Sequence, residues 1–442
     1  MQGNDFTKGS LTKAFLLLMA PLIVGNILQQ LYNTIDALAL GWYAGQQEFA
    51  AVGVASSVMN LFLFAITGAS IGLSVLLAQA YGAKDGAKFR QIHFLSWTAG
   101  LALSVLGAVL GCWGIAGLLR LLQTPTKIIG FAQTYLKIVF SALPASFLYN
   151  FYHGLLRAVG KVRISLCILA GAMAVNFALD LFFVKGLSMG IVGVAWATWL
   201  AQVGAALGCI CYVYRCLPEL AFHRRDCRFS GRLLGQILHY SGVTALQQAG
   251  LYLGKLLVQG AVNSMGTAAI SAYTATTRIE GFANSFGDSG ASATSVLAAQ
   301  NYGAGQRERV EKTTRISFLL LGALGAVSST VLYMAAWSAA RLVLGPNSGE
   351  ACPIAAAYLH RIAIFYIFCF LGNTFAGYFD GCGHMTYSLL GTVSHISMRV
   401  VLSWLFISDF GLNAVAWATA VGWVYVNLFW LILYRKQRKK LW

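Results

Sequence analysis

Twelve apolar segments of about 20 residues or more follow one another along this chain of 442 residues. About 20 apolar residues in a helix cross the roughly 30 Å hydrocarbon core of a bilayer. Only helices and closed barrels satisfy their backbone polar groups there, and the short alternating strands of a barrel are absent from the sequence. The pattern predicts an all-α, polytopic membrane protein. The predicted spans are residues 14–40, 50–79, 91–119, 130–157, 163–184, 190–214, 235–262, 268–299, 313–343, 354–381, 385–408 and 412–434.

The charges are few and unevenly placed. Charged residues make up 10% of the chain and hydrophobic residues 58%, yet the net charge is +17. The Lys and Arg residues gather at both termini and in the longer loops after spans 2, 4, 6 and 8, which is the positive-inside bias. We therefore expect a multi-pass protein of the cytoplasmic membrane with both termini in the cytoplasm, a lipid bilayer as its surroundings and no nucleic-acid partner.

The chain repeats itself. The segment Val-Ala-Trp-Ala-Thr at 194–198 returns unchanged at 415–419, 221 positions later. Ala-Gln-x-Tyr-Gly-Ala at 78–83 returns at 299–304 with the same offset. Elsewhere the offset is 223, as for Gly154 and Gly160 against Gly377 and Gly383. Two homologous halves joined head to tail are typical of secondary transporters, whose substrate site lies between the repeats.

The repeat defines the expected domains. Residues 1–214 should form an amino-terminal lobe of six helices, and residues 235–442 a second, pseudo-symmetric lobe of six. Residues 215–234 form the longest polar stretch and are predicted to be a cytoplasmic connector. No nucleotide-binding loop, metalloprotease motif or nucleophile elbow is present, so we expect a transporter and not an enzyme.

The first span carries a polar stripe. Asn26, Gln29, Asn33 and Asp36 are spaced so that all four share one helical face. A carboxylate in hydrocarbon is costly and by default marks a functional site, while amides also serve as hydrogen-bonding contacts between helices. Pro21, upstream, permits a kink because it lacks a backbone N–H.

Spans 5 and 6 add a second polar set. Asn176 and Asp180 are four residues apart on one helix, as are Thr198 and Gln202 on the next. Together with Asp36, these side chains offer oxygens to a hard cation such as Na⁺, or one shared proton to two carboxylates. Helix packing is the alternative role for Asn176 and Thr198.

The second half lacks these acids. Positions equivalent to Asp36 and Asp180 are occupied by Leu257 and by residues 401–403, none of them acidic. Its spans instead carry Lys255, Glu280 and Arg399, which either form a structural ion-paired network or line the substrate cleft. Gln248 is a further candidate for the cleft.

Several of these motifs together resemble the multidrug and toxic compound extrusion (MATE) family. The resemblance rests on the first span and on the glycine turns after spans 2, 4, 8 and 10, and it covers essentially the whole chain. The matching residues are Pro21, Gln29, Tyr32-Asn33-x-x-Asp36 and Gly41, the two Ala-Gln-x-Tyr-Gly-Ala segments, Gly154-x-x-Arg157-Ala-x-Gly160, and Gly377-x-x-x-Gly381-x-Gly383.

The resemblance implies a V-shaped cleft between two lobes and cation-coupled antiport. H⁺ or Na⁺ would enter while organic, often cationic and amphipathic, compounds leave by alternating access. In members with an amino-lobe site, the residues matching Asp36, Asn176, Asp180 and Thr198 form the cation network. Another branch uses an acid in helix 7 and one in helix 10, where this chain has Gln247, Gln248 and Asn373. The resemblance thus favours an amino-lobe site, no cofactor beyond the coupling ion, and a monomer.

Three other functions fit less well. A lipid or lipid-linked sugar flippase of the same superfamily would predict a lipid-facing groove and helices beyond twelve. A channel or receptor-like protein would predict no coupled proton uptake. A facilitator of the other large two-lobe type would carry a basic signature loop after span 2, and residues 80–85 lack it. The sequence does not distinguish H⁺ from Na⁺ or name the substrates.

Overall fold

A computed structural model describes residues 3–43, 46–121, 124–223, 226–345 and 349–438, without the side chains of residues 32–43, 46, 47, 49 and 121. Fourteen α-helices and no strand occur in these ranges. The helices are α1 (Leu11–Tyr43), α2 (Gln46–Gly82), α3 (Gly86–Leu121), α4 (Thr126–Ser141), α5 (Leu143–Ala158), α6 (Val162–Asp180), α7 (Gly190–Cys216), α8 (Gly231–Asn263), α9 (Thr267–Gly303), α10 (Arg307–Leu344), α11 (Ala351–Ala363), α12 (Tyr366–Gly381), α13 (Met385–Phe410) and α14 (Leu412–Arg438).

These helices correspond to the twelve predicted spans. Eight are individually long and apolar enough to cross a membrane, and the pairs α4–α5 and α11–α12 each qualify as one bent span. The remaining two, α8 and α9, are 33 and 37 residues long but less apolar. The prediction of an all-α membrane protein with six helices in each half is confirmed.

The fourth span of each half is bent at the same place. The helix axes change direction by 46° between α4 and α5 and by 54° between α11 and α12. The breaks fall at Ala142 and Phe365, which are 223 positions apart and have similar backbone angles. Pro144 stands in the first turn of α5 and favours a break there, since proline lacks the N–H that a continuous helix requires. The equivalent residue in the second half is Ile367, so the bend does not depend on proline.

The helices pack into two compact units. The first unit contains Met1–Asp5 and Ile27–Ala245, and the second contains Phe6–Asn26 and Leu246–Trp442. The first helix of each half therefore begins in one unit and continues in the other. The predicted lobes, divided at the connector 215–234, stay a prediction.

In the first unit, α2 contacts α5, α4 and α3, as well as the start of α8. A methyl group added to Gly68 would collide with the carbonyl oxygen of Thr244, so glycine permits the close approach of α8 to α2. An apolar core lies between α2, α3, α4 and α7 and includes Phe140 and Leu136, neither of which is exposed.

In the second unit, α9 takes the place that α2 has in the first. It packs against α12, α10 and α11, and it binds the start of α1 through a hydrogen bond from Asn26 Nδ2 to Ser289 Oγ, 3.0 Å long. Ser289 is 221 positions after Gly68, so the same position receives the crossing helix in both units. The internal repeat is thus structural as well as sequential.

Gly154 and Gly377, near the ends of α5 and α12, share one packing contact. A Cβ atom on Gly154 would lie 3.0 Å from the carbonyl oxygen of Ser70, and one on Gly377 would lie 2.5 Å from that of Ala291. Both pairs are related by the repeat offset. Glycine at these positions lets two helices touch backbone to backbone, as small residues do in membrane bundles.

An ion pair near the polar end of each half includes one repeated position, Arg90 in the first half and Glu311 in the second. In the connector, Asp226 accepts a hydrogen bond of 3.0 Å from the Arg90 guanidinium on α3. At the end of α14, Arg438 donates to Glu311 on α10 at 2.9 Å. Burial raises the pKa of Asp226, but the backbone N–H of His223 and the Arg90 guanidinium outweigh burial and hold this pKa below its usual value.

Candidate functional site

The buried acid of the first unit stands at the end of α6. Asn176 is 2% exposed and Asp180 is 7% exposed, one helical turn apart on the same face. Among the described residues, neither the amide oxygen nor the amide nitrogen of Asn176 has a hydrogen-bond partner. Because a buried amide without hydrogen bonds is destabilising, this side chain is placed to receive a ligand beside the Asp180 carboxyl group.

The helix changes its winding directly after Asp180. Residues 181–186 form a π-helical segment, closed by a hydrogen bond from the Leu187 N–H to the Phe182 carbonyl oxygen at 3.0 Å. A π turn carries an extra residue, is rare, and occurs frequently at functional sites. The acid therefore lies at the junction of two helical geometries.

The π segment contacts α7, which carries the other two predicted residues. A Cβ atom on Gly193 would lie 2.8 Å from the Cβ of Phe183. One and two turns further along α7 are Thr198 and Gln202, both half-buried. The Thr198 hydroxyl donates to the Val194 carbonyl oxygen at 3.1 Å, which leaves its lone pairs available to a further donor or cation.

The structure describes the side chains of only part of the polar stripe on α1. The side chains of Asn33 and Asp36 lie outside the described part of the chain, so their predicted roles stay predictions. Gln29 is exposed. Pro21 is buried within α1, which continues past it to Tyr43 without a break in its assigned helix.

Asn26 acts as a contact between helices. Its Nδ2 donates to Ser289 Oγ at 3.0 Å and to the Ser285 carbonyl oxygen at 3.4 Å, both on α9. Amides between membrane helices commonly form such hydrogen bonds. The described contacts of Asn26 are therefore those of the packing role, one of the two roles the sequence left open.

The second unit contains a buried network of charges and phenols. Glu280 on α9 is 9% exposed and interacts electrostatically with Arg399 on α13 and Lys255 on α8. It also interacts with the Tyr358 hydroxyl, while Arg399 Nη2 donates to the Tyr273 hydroxyl at 3.4 Å. Glu280 Oε1 and Arg399 Nε have no hydrogen-bond partner among the described residues. The two roles that the sequence left open for these residues, structural pairing and lining of the cleft, therefore stay predictions.

Asp288 extends this network and was not singled out as a site by its sequence context. It is exposed near the middle of α9, two turns after Glu280, and interacts electrostatically with Lys255. An exposed acid at mid-span is costly against lipid, which favours a polar surface around it. Gln248, one of the predicted cleft residues, is half-buried on α8. The sequence signal that could have identified Asp288 is the presence of an acid inside the less apolar helix α9.

Comparisons with known proteins agree with the repeat. The family model MatE matches the chain twice, over residues 21–182 and 244–405. The probable multidrug resistance protein YpnP of Bacillus subtilis is 28% identical, and the alignment covers 100% of this chain and 98% of that protein. The probable multidrug resistance protein YoeA of the same organism is also 28% identical, over 74% of this chain and 72% of its own length.

A solved structure shares the whole fold. The chain superposes on a multidrug resistance MATE family transporter in its outward-facing conformation with a TM-score of 0.92 and 21% identity, covering 100% of this chain and 99% of the other. At this identity the likeness establishes the arrangement of the helices and leaves the chemistry of the site to the residues themselves.

Proposed function

Because the chain belongs to the MatE family of membrane transporters, which are not enzymes, we propose that it is a multidrug efflux antiporter. It exports amphipathic organic compounds, often cations, and takes up H⁺ or Na⁺ in exchange by alternating access. The relatives named as multidrug resistance proteins support the substrate class. The positive-inside bias supports a place in the cytoplasmic membrane with both termini in the cytoplasm, and we propose a monomer.

One observation supports the location of the proposed coupling-ion site. Asn176, with no hydrogen-bond partner among the described residues, is buried one turn before the buried carboxyl group of Asp180, and the π segment follows. Carboxylate, amide and hydroxyl oxygens suit a hard cation, and a buried carboxyl group equally suits a proton. We propose that Asp180, Asn176 and Thr198, together with Asp36, bind the coupling ion, and that no other cofactor is needed.

The number of ions exchanged determines the driving force. Exchange of one monovalent cation for one H⁺ moves no net charge, so only the pH gradient contributes, at about 1.4 kcal/mol per pH unit. A second inward charge adds about 2.3 kcal/mol per 100 mV of membrane potential. Both stoichiometries are compatible with two acids in the first half.

Ethidium efflux from proteoliposomes under imposed gradients tests the proposal. We expect the purified full chain to drive efflux with an inward gradient of either H⁺ or Na⁺, and Asp36→Asn and Asp180→Asn to abolish it while membrane expression persists. Efflux that is undiminished in both variants would exclude the proposed site. Translocation of a fluorescent lipid, with no ethidium efflux in the wild type, would instead identify a flippase.

A further inference from the structure

A second buried acid lies in the second unit, apart from the Glu280 network. Asp380 stands in the last turn of α12 and is 9% exposed, among the helices α9, α10, α13 and α14 that pack against α12. An ionised carboxylate in such a place is destabilising unless an opposite charge or several hydrogen bonds compensate it.

A polar contact reaches Asp380 from Ser388 on α13, and Gln247 on α8 binds Ser388 in turn. Gln247 on α8 donates from Nε2 to Ser388 Oγ and to Thr392 Oγ1 on α13, each at 3.0 Å. Since Ser388 accepts from Gln247, its own hydrogen is directed to the Asp380 carboxyl group, with which it interacts. Asp380 Oδ1 has no hydrogen-bond partner among the described residues. One hydroxyl is thus the side-chain donor to this carboxyl group in the described part of the chain.

No described positive charge compensates Asp380. The basic groups on the nearby helices, Lys255 and Arg399, interact with Glu280 and its neighbours, and no Lys or Arg in the described ranges interacts with Asp380. His384 follows on the adjacent turn, but burial lowers its pKa and keeps the ring uncharged at neutral pH.

The other titratable groups of this region face elsewhere. Tyr378 and Cys382 are one turn apart on α12, and Asp380 lies about 200° around the helix from Tyr378. Both line a small cavity with ionisable groups from α9, α10 and α14, and Asp380 is not part of that lining. Those groups are Tyr302, Arg307, Glu311, Tyr434 and Arg438. On α13, His395 lies near Arg399, two turns beyond Ser388.

The internal repeat relates Asp380 to a buried ionisable residue in the first half. Asp380 is 223 residues after Arg157, which is also buried and donates from Nε to Ser74 Oγ at 3.4 Å. Both halves therefore place a buried ionisable group at the end of the bent fourth span, with opposite sign. A guanidinium keeps its proton, whereas a carboxyl group can release one.

We propose that Asp380 is a proton-binding site of the second unit, in which the Ser388 hydroxyl, itself held by Gln247, hydrogen-bonds a protonated carboxyl group. The proposed chemistry is one proton transfer. When water reaches this turn, the carboxylic acid of Asp380 releases H⁺ to it and becomes a carboxylate. Within an antiporter, and here the inference depends on the proposed function, this site would take up a proton separately from the ion at Asp180.

Infrared spectroscopy of the full chain in nanodiscs tests the site without relying on transport. We expect the C=O band of a protonated carboxylic acid that is lost reversibly as the pH is raised. The difference spectrum between the wild type and Asp380→Asn should contain this band, which separates it from any band of Asp36 or Asp180. Glu280→Gln is the matched control because Glu280 is a buried acid with basic neighbours, and its removal should leave the band unchanged. An identical titrating band in Asp380→Asn would overturn the proposal.

Two further measurements keep the outcomes distinct. If Asp380→Asn does not fold, Ser388→Ala replaces it, and the band should move to higher frequency because its hydrogen bond is lost; an unchanged band contradicts the assignment. Repeating the titration with Na⁺ present distinguishes a sodium site. Loss of the Asp380-dependent band on adding Na⁺ at constant pH would overturn the proton assignment. The band should persist even if the ethidium assay finds no efflux, so the two proposals fail independently.

Discussion

The two halves of the molecule place opposite charges at equivalent positions, with different consequences at the surface and in the interior. Near the polar ends, Arg90 pairs with Asp226 in the first half, and Glu311, 221 positions after Arg90, pairs with Arg438 in the second. Asp226 and Arg438 are not related by the repeat offset, so the reversed charge at 90 and 311 meets a different partner in each half and an ion pair forms in both. In the interior, Asp380 replaces Arg157 while the partners remain hydroxyl groups, so the reversal changes the chemistry.

The comparison teaches where a repeated scaffold can diverge. Backbone features agree between the halves, as the bends at Ala142 and Phe365 and the close helix contacts at Gly154 and Gly377 show. Side chains that make no repeated contact differ, and Asp180 against Ser403 is the clearest case. Because the two halves offer equivalent positions, a variant in one half has its matched control in the other half of the same molecule.

The largest difference is expected at Asp180 and its equivalent. Asp180→Asn should reduce ethidium efflux from proteoliposomes to the leak of empty vesicles, because an amide neither binds nor releases the proton. Ser403→Ala removes a buried hydroxyl at the equivalent position and should leave efflux near the wild-type rate. Equal losses in the two variants would show that the halves are functionally alike here.

The next difference concerns the repeated Val-Ala-Trp-Ala-Thr segment. Thr198 and Thr419 each donate to the carbonyl oxygen four residues earlier, at 3.1 Å and 2.7 Å. Thr198→Ala should lower efflux several-fold, because one oxygen of the proposed ion site is lost, whereas Thr419→Ala should leave it unchanged. Vesicle efflux rates at matched protein amounts measure both, and a similar loss in each would indicate a purely structural hydroxyl.

A smaller difference, in stability, is expected at the helix-packing glycines Gly154 and Gly377. Gly377→Ala places a methyl group 2.5 Å from the Ala291 carbonyl oxygen, whereas Gly154→Ala leaves 3.0 Å to that of Ser70. Forcing atoms into a tightly packed contact typically costs about 1–3 kcal/mol, so Gly377→Ala should have the lower Tm in detergent. A lower Tm for Gly154→Ala would contradict this order.

The smallest effect is expected at the two surface ion pairs that include Arg90 and Glu311. Double-mutant cycles at Arg90–Asp226 and at Glu311–Arg438 should each give a coupling of about 0.2–1 kcal/mol in thermal unfolding, as is usual for partly exposed pairs. Because the pKa of Asp226 is lowered in the folded protein, its contribution is present at neutral pH and is lost as the pH falls through that lowered value. A coupling that persists in strong acid would contradict the assignment.

The sequence predicted the fold more completely than the site. All twelve spans follow from apolar length, and the repeat predicted six in each half. The bend at Phe365 could not be predicted from local sequence, because no proline marks it. One sequence feature indicated the π segment. The repeat offset falls from 223 at Gly160 to 221 at Val194, so the first half has two more residues in this stretch than the second.

The site was predictable only where its residues share a helix. Asn176 and Asp180 are one turn apart, so helical spacing brings them together in advance of any structure. The contacts around Asp380 join Gln247 to Ser388, 141 positions away, and only tertiary packing creates them. The contact of Asn26 with α9 likewise depends on how the start of α1 is placed in the second unit.

The π segment after Asp180 also bears on how the two copies can be recombined. Between Gly160 and Val194 the first copy has two residues more than the second has between Gly383 and Val415, and the extra winding lies next to the acid. The continuous helix α13 has no such segment. A chimera that gives the second copy an aspartate at Ser403 alone would transplant the charge without its local geometry, so a gain of function would require the longer stretch as well.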